Sequence, residues 1–414
     1  MTSSFTYQCE SIIYDEKLMK MLEEEKFDVG ITEVFDICGL GIFELINIPA
    51  TVSTFAVVHS DLVSESIGEP TMPSFVPAGM SVKGDRMDIV ERFMNMANVI
   101  LGKILFSQTF IREINVFRAK FGAQFKDYNE LIAKSSFIFT NSNPYLDYPR
   151  PTIHKTVSIG GITIDVKQKI NKLPERWNAV LNERNTTVLV SFGSVAKSIF
   201  MPDKYKKTLL EVFKTMPDTT FIWKYEEKDS KIAEHLENVH LSTWLPQIAL
   251  LADPRLTVFI THGGLGSTTE VAFMGKPAIL VPLCGDQTRN SHMFSKHGGG
   301  IVLLKSDLER PQKLRDALNQ IFNDSRFAQN AQLLSKILRN QPISPKELLV
   351  RHSEFAAMFG SLPNLDPYGR HLSFIQYYLI DIVLTCICII VIIIYVSIKL
   401  LRKCFTLRRK SKTE

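Results

Sequence analysis

Polar and glycine-containing segments follow three short apolar runs in the middle of the chain. FGS (residues 192–194) follows TVLVS, HGGLGSTTE (residues 262–270) follows TVFIT, and LCGDQ (residues 283–287) follows AILVP. Ligands of parallel sheets bind beyond the carboxyl ends of the strands. If the three apolar runs are strands of one such sheet, the three segments share one binding site.

The segment HGGLGSTTE has the composition of a phosphate-binding turn. Gly263, Gly264 and Gly266 let the backbone turn tightly and approach a ligand, and a helix that opens at Ser267 offers unpaired N–H groups. Neither GxxxxGK[ST] nor GxGxxG is present. His262, at the end of the preceding run, is a candidate ligand-binding side chain. The structural alternative is that STTE only forms a capping box and that His262 belongs to the core.

The pattern of apolar runs predicts the elements that position these segments. Short β-branched or aromatic runs alternate with amphipathic stretches, which predicts an α/β fold with a parallel sheet covered by helices on both faces. The predicted strands cover residues 187–191, 220–223, 239–241, 257–261, 278–281 and 300–303. The predicted helices cover residues 204–214, 267–274, 287–295, 311–322, 326–340 and 345–360, and residues 89–121 form a further amphipathic region.

The composition is that of a globular protein with a basic end. The 414 residues are 45% hydrophobic and 22% charged, which excludes disorder and leaves room for about two domains. The formal charge of +5 comes from residues 399–414, which hold seven Lys/Arg and one Glu, so no nucleic-acid partner is expected. The six cysteines lack CxxC spacing and Cys9 and Cys38 stand alone, which predicts neither a disulfide framework nor a zinc site.

An apolar run precedes this basic end. Residues 377–398 contain Asp381 as their only charge, and a helix of that length crosses roughly 30 Å of hydrocarbon. A buried core helix is the alternative. Because basic residues mark the cytosolic side, residues 399–414 are predicted to be a cytosolic tail and the body to be lumenal. Lys410 and Lys412 resemble a dilysine signal, so the predicted location is the endoplasmic reticulum membrane, crossed once.

The other end of the chain conflicts with this topology. Residues 1–10 have no basic start, apolar core or cleavage site, so they do not form a secretory signal. Without one, the apolar run would insert tail-first and leave the body in the cytosol. The interpretation that reconciles the two ends is an N-terminally shortened version of a longer secretory precursor.

Two long segments resemble a known family. WLPQ (residues 244–247) and FITHGGLGSTTEVAFMGKPAILVPLCGDQTRN (residues 259–290) are similar to the signature of the UDP-glycosyltransferases, the GT-B enzymes that include the membrane-bound UDP-glucuronosyltransferases. The resemblance extends through FDVGITEVFDICGLGIFELINIP (residues 27–49) and into the anchor. It implies two Rossmann-like domains, the first incomplete, and one C-terminal transmembrane helix. It also implies a UDP-sugar as co-substrate, without a metal or another cofactor.

The resemblance assigns a role in donor binding to each matched residue. Trp244 would stack on uracil, Gln247 would contact the ribose side of the nucleoside, and Glu270 would accept hydrogen bonds from the ribose hydroxyls. The diphosphate and the sugar would be bound by Ser194, His262, the Gly263–Gly264 turn, Ser267, Asp286 and Gln287. Each has a structural alternative, such as packing for Trp244 and helix capping for Asp286. Many family members carry Asn where this chain has Gly266, so one side-chain contact to phosphate is absent.

The resemblance also implies an inverting displacement assisted by a general base. The family's base is a histidine early in the first domain, oriented by a later carboxylate, and Glu33 in FDVGITE takes the carboxylate position. The alternative for Glu33 is a solvated residue at a strand end. None of the 26 residues before Phe27 is histidine, so the base and the opening βα units are expected to be missing. His59 is the first histidine, and nothing places it at the family's position.

Three functions remain open. The first is a UDP-glycosyltransferase that transfers glucuronate or glucose to a small lipophilic acceptor. The second is a catalytically impaired, donor-binding membrane subunit or isoform that forms homo- or hetero-oligomers with full-length relatives. An unrelated nucleotide-binding receptor is a third alternative. The acceptor is not predicted, because its pocket belongs to the least constrained part of the chain.

Composition also suggests the domain limits. The predicted segments are a partial acceptor-side domain (1–150), a linker (151–182), a donor-binding domain (183–345), a return helix with a pre-membrane segment (346–376), the transmembrane helix (377–398) and the tail (399–414).

Overall fold

The computed structural model describes residues 2–164 and 173–410. The chain up to Leu365 forms one compact unit, and the chain from Asp366 onward forms a second. Part of the predicted linker, residues 165–172, and the end of the predicted tail, residues 411–414, lie outside the described residues.

The first compact unit contains two parallel sheets. The first sheet has four strands in the order β1-β2-β3-β4. They are β1 (Val29–Glu33), β2 (Ala50–Phe55), β3 (Phe137–Thr140) and β4 (Thr156–Ser158). The segment predicted as a linker therefore contributes β4 to this sheet. The residues of β2 and β3 are almost all buried, as expected of strands covered on both faces.

Six helices surround the first sheet. They are α1 (Thr2–Tyr14), α2 (Glu16–Glu24), α3 (Cys38–Leu45), α4 (Asp61–Ile67), α5 (Ile89–Phe121) and α6 (Tyr128–Lys134). The long helix α5 begins with a capping box in which Asp88 accepts from the Glu91 N–H and Glu91 accepts from the Asp88 N–H. It ends at Gly122, whose φ of 103° favours glycine.

Cys9 and Cys38 form a disulfide, so the prediction that these cysteines stand alone is wrong. Their 29-residue separation in the sequence gives no spacing signal. The two sulfur atoms meet because α1 and α3 both pack against α5. The pairing thus depends on tertiary packing that no local pattern records.

The second sheet lies in the predicted donor-binding region. Its six strands follow the order β10-β9-β8-β5-β6-β7. They are β5 (Thr186–Ser191), β6 (Thr219–Lys224), β7 (Val239–Ser242), β8 (Leu256–Thr261), β9 (Ala278–Leu280) and β10 (Gly300–Val302). All six predicted strands are confirmed with small shifts at their ends. The central strands β5, β8 and β9 are buried, and their branched apolar side chains form the core on both faces.

Helices cover both faces of the second sheet. They are α7 (Glu175–Val180), α8 (Asp203–Lys214), α9 (Gln247–Ala252), α10 (Leu265–Met274), α11 (Gln287–Ser295), α12 (Pro311–Asn323) and α13 (Arg326–Arg339). The next helix, α14 (Pro345–Phe359), packs on the first sheet. Short 3-10 helices occur at Ser198–Phe200, Lys305–Glu309, Pro363–Leu365 and Tyr368–His371. Six of the α-helices match predicted segments, whereas α7 and α9 were not predicted, because each is only six residues long.

Helix α10 begins two residues before the predicted start. Gly264 is its N-cap and makes no side-chain cap hydrogen bond. The proposed capping box at Ser267 is therefore wrong, because Ser267 already lies inside the first turn. Its hydroxyl is instead available for contacts outside the helix, such as the hydrogen bond from Gln247.

The two sheets are joined by α14 and by a buried ion pair. Helix α14 packs on the first sheet, where Ala356 joins the core around β2 and β3. Arg289 of α11 donates from Nη2 to Oδ1 of Asp147 at 2.5 Å, and both side chains are buried. The helix that follows the LCGDQ segment is therefore fixed to the first sheet's half of the unit.

The second compact unit contains α15 (Phe374–Tyr377) and α16 (Ile380–Lys410). Between them, Leu379 has a φ of 56°, a left-handed conformation that interrupts the helix, so the long helix begins after the predicted Tyr377. Its segment Ile380–Lys403 is long and apolar enough to cross a membrane, and none of it is buried. It is the one helix of that kind within residues 2–164 and 173–410.

Candidate active site

A polar cavity of about 350 Å³ opens at the carboxyl ends of the strands β5, β6 and β8. Seven of the ten predicted donor-binding residues line it, namely Ser194, Trp244, Gln247, His262, Gly264, Ser267 and Glu270. The segments FGS and HGGLGSTTE therefore meet in this cavity, together with WLPQ. The third predicted segment, LCGDQ, does not line it. We refer to this space as the polar cavity.

Gln247 connects two helices at one end of the polar cavity. Its Nε2 donates to Oε2 of Glu270 at 2.6 Å and to Oγ of Ser267 at 3.1 Å. Burial raises the pKa of Glu270, and the hydrogen bond from Gln247 offsets part of that effect. The result is a carboxylate with an oxygen left to accept from vicinal hydroxyl groups of a ligand.

His262 lies between two glycine backbones. A Cβ added to Gly264 would come within 2.5 Å of the His262 Nε2, and one added to Gly193 within 2.7 Å of its Cε1. The glycines therefore provide the space that the imidazole occupies. Burial lowers the pKa of His262, and the charge of Lys224 lowers it further against the opposing effect of Asp286. A neutral imidazole at this position can donate one N–H to a phosphate oxygen.

Lys224 lines the polar cavity and was missed by the sequence analysis. Its Nζ lies 5.0 Å from the centre of the Trp244 ring and donates to the Gly193 carbonyl at 2.7 Å. The only sequence signal is its position as the last residue of β6. Trp244 itself is 72% exposed, so its ring face is available to a planar ligand. A cation beside the glycine turn suits a diphosphate.

Gly263, Asp286 and Gln287 lie outside the wall of the polar cavity. The Gln287 side chain turns back to its own loop, where Oε1 accepts from the N–H groups of Leu283 and Cys284 at 2.8 and 3.1 Å. Asp286 accepts from Asn290 Nδ2 at 2.8 Å. In this conformation, Asp286 faces a different space.

That space is a second cavity of about 280 Å³ with mostly apolar walls, which we call the apolar cavity. Apolar side chains from β2 and α5 form much of it, including Phe55, Val99, Phe106 and Phe110. Gly285 and Asp286 complete it from the loop between β9 and α11, so it lies where the two halves of the unit meet. Its size and walls suit a small lipophilic molecule. No sequence motif predicts it.

Glu33 stands at the carboxyl end of β1, and its side chain is exposed. Its Oε1 accepts from the backbone N–H of Ala56 at 3.0 Å, which ties β1 to the residue after β2. Glu33 lines neither cavity, although its neighbour Val34 lines the apolar one. Its assigned role as an orienting carboxylate stays a prediction.

The sequence profile described as UDP-glucoronosyl and UDP-glucosyl transferase matches residues 1–413. The chain belongs to this family. It is 28% identical to UDP-glucuronosyltransferase 1A9 of Mus musculus over 96% of this chain and 74% of that protein. It is 27% identical to UDP-glucuronosyltransferase 1A7 of Rattus norvegicus, with the same two shares.

Solved structures support the fold. The glycotransferase of kitacinnamycin superimposes with a TM-score of 0.60 at 19% identity, covering 88% of this chain and 82% of that one. A UDP-glucosyltransferase from Polygonum tinctorium superimposes with a TM-score of 0.53 at 17% identity, covering 80% and 74%. The predicted GT-B fold is confirmed. This member of the UDP-glycosyltransferase family also carries one apolar C-terminal helix, which together with the family indicates a membrane protein.

Proposed function

We propose that this UDP-glycosyltransferase transfers glucuronate or glucose from a UDP-sugar to a small lipophilic acceptor by an inverting displacement. The observation that carries the proposal is the pairing of a polar cavity, lined by Trp244, His262 and Glu270, with an apolar cavity that receives Asp286 from the donor-side loop. A polar site for a nucleotide and an apolar site for an acceptor are the two spaces that such a transfer requires.

The nucleoside half of the donor lies against Trp244 in this proposal. The exposed indole offers a flat face for uracil, and Glu270 accepts from the ribose hydroxyls while Gln247 holds that carboxylate in place. The 2.6 Å hydrogen bond between Gln247 and Glu270 supports this arrangement. Gln247 also faces the ribose side of the nucleoside.

The diphosphate lies over the glycine turn and the first turn of α10. Ser194, His262 and the N–H groups of Gly264 and Ser267 donate to it, and Lys224 adds a positive charge nearby. Hydrogen-bond donors and a helix N-terminus stabilise the charge that develops on a leaving diphosphate. These side chains and N–H groups therefore stabilise UDP as the leaving group.

Asp286 and Gln287 bind hydroxyls of the transferred sugar. Asp286 has one oxygen bonded to Asn290 and lies on the wall of the apolar cavity, so a sugar held there faces the acceptor. Gln287 reaches the sugar only if its side chain leaves the N–H groups of Leu283 and Cys284. Both groups recognise hydroxyls that glucuronate and glucose share.

The body of the enzyme is proposed to be lumenal in the endoplasmic reticulum, with residues 399–414 in the cytosol. The disulfide between Cys9 and Cys38 supports an oxidising compartment. Asn185 and Asn323 each begin an N-x-[ST] sequence and are exposed, so both are accessible for glycosylation. Removal of N-glycans should increase the electrophoretic mobility of the full chain, whereas unchanged mobility would contradict the lumenal orientation.

Transfer by the full chain in membranes tests the proposal. UDP-glucuronate and UDP-glucose are each supplied with a lipophilic phenol, and the glycoside is measured by mass spectrometry with Glu270→Gln as the matched variant. The expected result is product from the native chain and at least about tenfold less from the variant, which loses a charge-assisted contact. UDP binding without product would favour the alternative, a donor-binding membrane subunit that associates with longer relatives.

A further inference from the structure

His59 is a buried histidine on the wall of the apolar cavity. It follows the carboxyl end of β2, and its backbone N–H donates to Oγ of Ser142 at 3.2 Å. Its side chain is only 2% exposed. Burial of a polar ring in an apolar wall is unfavourable unless the ring is hydrogen-bonded, so its partners are informative.

One edge of the His59 ring is held by a buried carboxylate. Nε2 lies 2.6 Å from Oε1 of Glu69, and the other oxygen of Glu69 accepts from the Ile153 N–H at 3.1 Å and from Oγ1 of Thr156 at 2.7 Å. Burial raises the pKa of Glu69, but the hydrogen bond and charge of His59 and the bonds from Thr156 and Ile153 outweigh it and lower the pKa to about 2. Glu69 is therefore ionised at neutral pH.

Ser64 and Arg150 fix the same edge. The Ser64 hydroxyl lies 2.8 Å from Nε2 of His59 and donates to Oε1 of Glu69 at 3.1 Å. Nη2 of Arg150 donates to that hydroxyl at 3.2 Å. The carboxylate accepts only, so a ring that holds a single proton carries it on Nε2 and keeps the lone pair on Nδ1.

Nδ1 of His59 is buried and has no hydrogen-bond partner among the described residues. The other titratable side chains on the cavity wall are already engaged: Asp61 pairs with Arg150 at 3.4 Å, Lys103 pairs with Glu65 at 2.8 Å, and Asp286 accepts from Asn290. Within the described part of the wall, His59 is the one imidazole, and its Nδ1 is an acceptor atom that no neighbouring group uses.

We propose that Nδ1 of His59 accepts the proton of the acceptor's hydroxyl group in the apolar cavity, with Glu69 as its positioning residue. This inference rests on the proposed transfer function, because it assigns the base for that same reaction. It gives a role to a histidine whose place in the sequence matches no position in the family's signature.

The proposed step is a displacement at the anomeric carbon of the sugar. The acceptor O–H bond breaks and its proton passes to Nδ1, while the acceptor oxygen forms a bond to the anomeric carbon of the sugar. The bond from that carbon to the diphosphate oxygen breaks, and UDP leaves with the electron pair. The imidazolium, paired with Glu69, then releases the proton to water as the products leave.

Turnover and donor binding by His59→Gln give the first test. The full chain in membranes is compared with His59→Gln and with His235→Gln, an exposed histidine far along the sequence that lines neither cavity. Loss of a general base lowers turnover by about a hundredfold or more, so we expect that loss in His59→Gln with UDP affinity unchanged, although the melting temperature falls because the buried Glu69 loses a hydrogen-bond partner. His235→Gln should match the native chain. Retention of turnover within about threefold in His59→Gln would overturn the proposal.

Proton transfer without turnover gives the second test. 4-Nitrophenol has an acidity close to that of imidazolium, and its absorbance reports whether it is ionised. We expect nitrophenol bound to the detergent-solubilised native chain to show phenolate absorbance that His59→Gln lacks. Glu69→Gln should reduce the same signal, because a neutral partner stabilises the imidazolium less.

The two tests separate this inference from the proposed function. A native chain that shows the His59-dependent phenolate signal without forming glycoside would support His59 as the hydroxyl's partner and contradict the transfer function. Phenolate absorbance that is absent from the native chain, or equal in His59→Gln, would overturn the role of His59 even if turnover falls. In that case the loss of turnover would reflect a structural role of the buried pair.

Discussion

The polar and apolar cavities differ in how the chain builds them. The polar cavity takes its wall from short contiguous segments that each follow a strand of one sheet, such as residues 262–270 after β8. The apolar cavity takes its wall from residues between Val34 and Phe110, with a small contribution from residues 285–286. A site formed at strand ends can therefore be recognised from short sequence segments. A site formed by packed helices depends on residues that are distant in sequence.

This difference has a chemical side as well. A diphosphate and a ribose need fixed donors and acceptors, and the glycines around His262 can be substituted only by moving that ring. An apolar acceptor needs mainly volume and apolar contact, which many side chains provide. We therefore expect substitutions to act sharply in the polar cavity and gradually in the apolar cavity.

The largest effect should come from breaking the buried ion pair that joins the two sheets. Arg289→Ala leaves Asp147 buried without its partner, which costs about 3–5 kcal/mol of unfolding free energy. Thermal unfolding of the full chain measures the loss, and UDP affinity and acceptor turnover should fall together. Lys296→Ala, which removes a more exposed pair with Asp85, is the control and should cost less than about 1 kcal/mol. Equal losses in the two variants would contradict the role of the buried pair.

A second effect concerns a carboxyl group buried on α5. Burial raises the pKa of Glu113 to about 7, although its Oε2 accepts from the Ile37 N–H. The folded chain then holds this proton at pH values where the unfolded chain, with a pKa of about 4.5, has lost it. The folded state binds more protons, so stability falls as pH rises from about 4.5 to about 7.

Glu113→Gln should remove that decline. The variant keeps an acceptor for Ile37 but cannot ionise, so at pH 8 it should be more stable than the native chain by a few kcal/mol, on the order of 3. At pH 4.5 the two chains should be alike. Melting temperatures of both chains, measured between pH 4.5 and pH 8, test this prediction. Parallel pH profiles would contradict the raised pKa of Glu113.

The third prediction concerns the polar cavity alone. Gly264→Ala places a methyl group 2.5 Å from Nε2 of His262, which displaces the ring from the diphosphate site. The loss of about 2 kcal/mol corresponds to about thirtyfold weaker UDP binding, measured by calorimetry. Gly266→Ala is the matched comparison on the same cavity wall, because its Cβ would meet no atom of the protein within 4 Å and would leave His262 in place, and it should change UDP affinity by less than about threefold. Similar affinities in the two variants would show that the position of His262 does not matter.

The smallest effect should be confined to the apolar cavity. Gly102 of α5 lines it, and a Cβ there would meet no atom within 4 Å. Gly102→Leu should therefore fit without strain and occupy acceptor volume, raising the acceptor KM about tenfold. UDP affinity should stay unchanged, and steady-state kinetics with varied acceptor measures the difference. A change in UDP affinity of similar size would remove the proposed division between the cavities.

The sequence predicted the elements around the six-stranded sheet well and those around the four-stranded sheet poorly. The strands around Val188, Phe259 and Ile279 were recognisable because each is a short branched run followed by polar or glycine residues. The strands β1 to β4 were not predicted individually, because no binding motif follows them, and only the family resemblance implied a Rossmann-like sheet in this part of the chain.

The candidate site shows the same limits. Trp244, His262 and Glu270 were found because they stand in a signature, whereas Lys224 and His59 have no motif and gain their importance from neighbours distant in sequence. Asp286 and Gln287 were predicted as site residues. The orientation of their side chains could not be predicted, because it depends on hydrogen bonds with nearby residues. The disulfide between Cys9 and Cys38 likewise depends on how α1 and α3 pack on α5.

The affinity of the full chain for UDP, measured by calorimetry, tests the division between the two cavities most directly. Trp244→Ala removes the proposed base-stacking surface and should weaken UDP binding by at least about tenfold. Gly102→Leu should bind UDP as the native chain does. A native chain that takes up no UDP, or a Trp244→Ala variant that binds it as tightly as the native chain, would contradict the account.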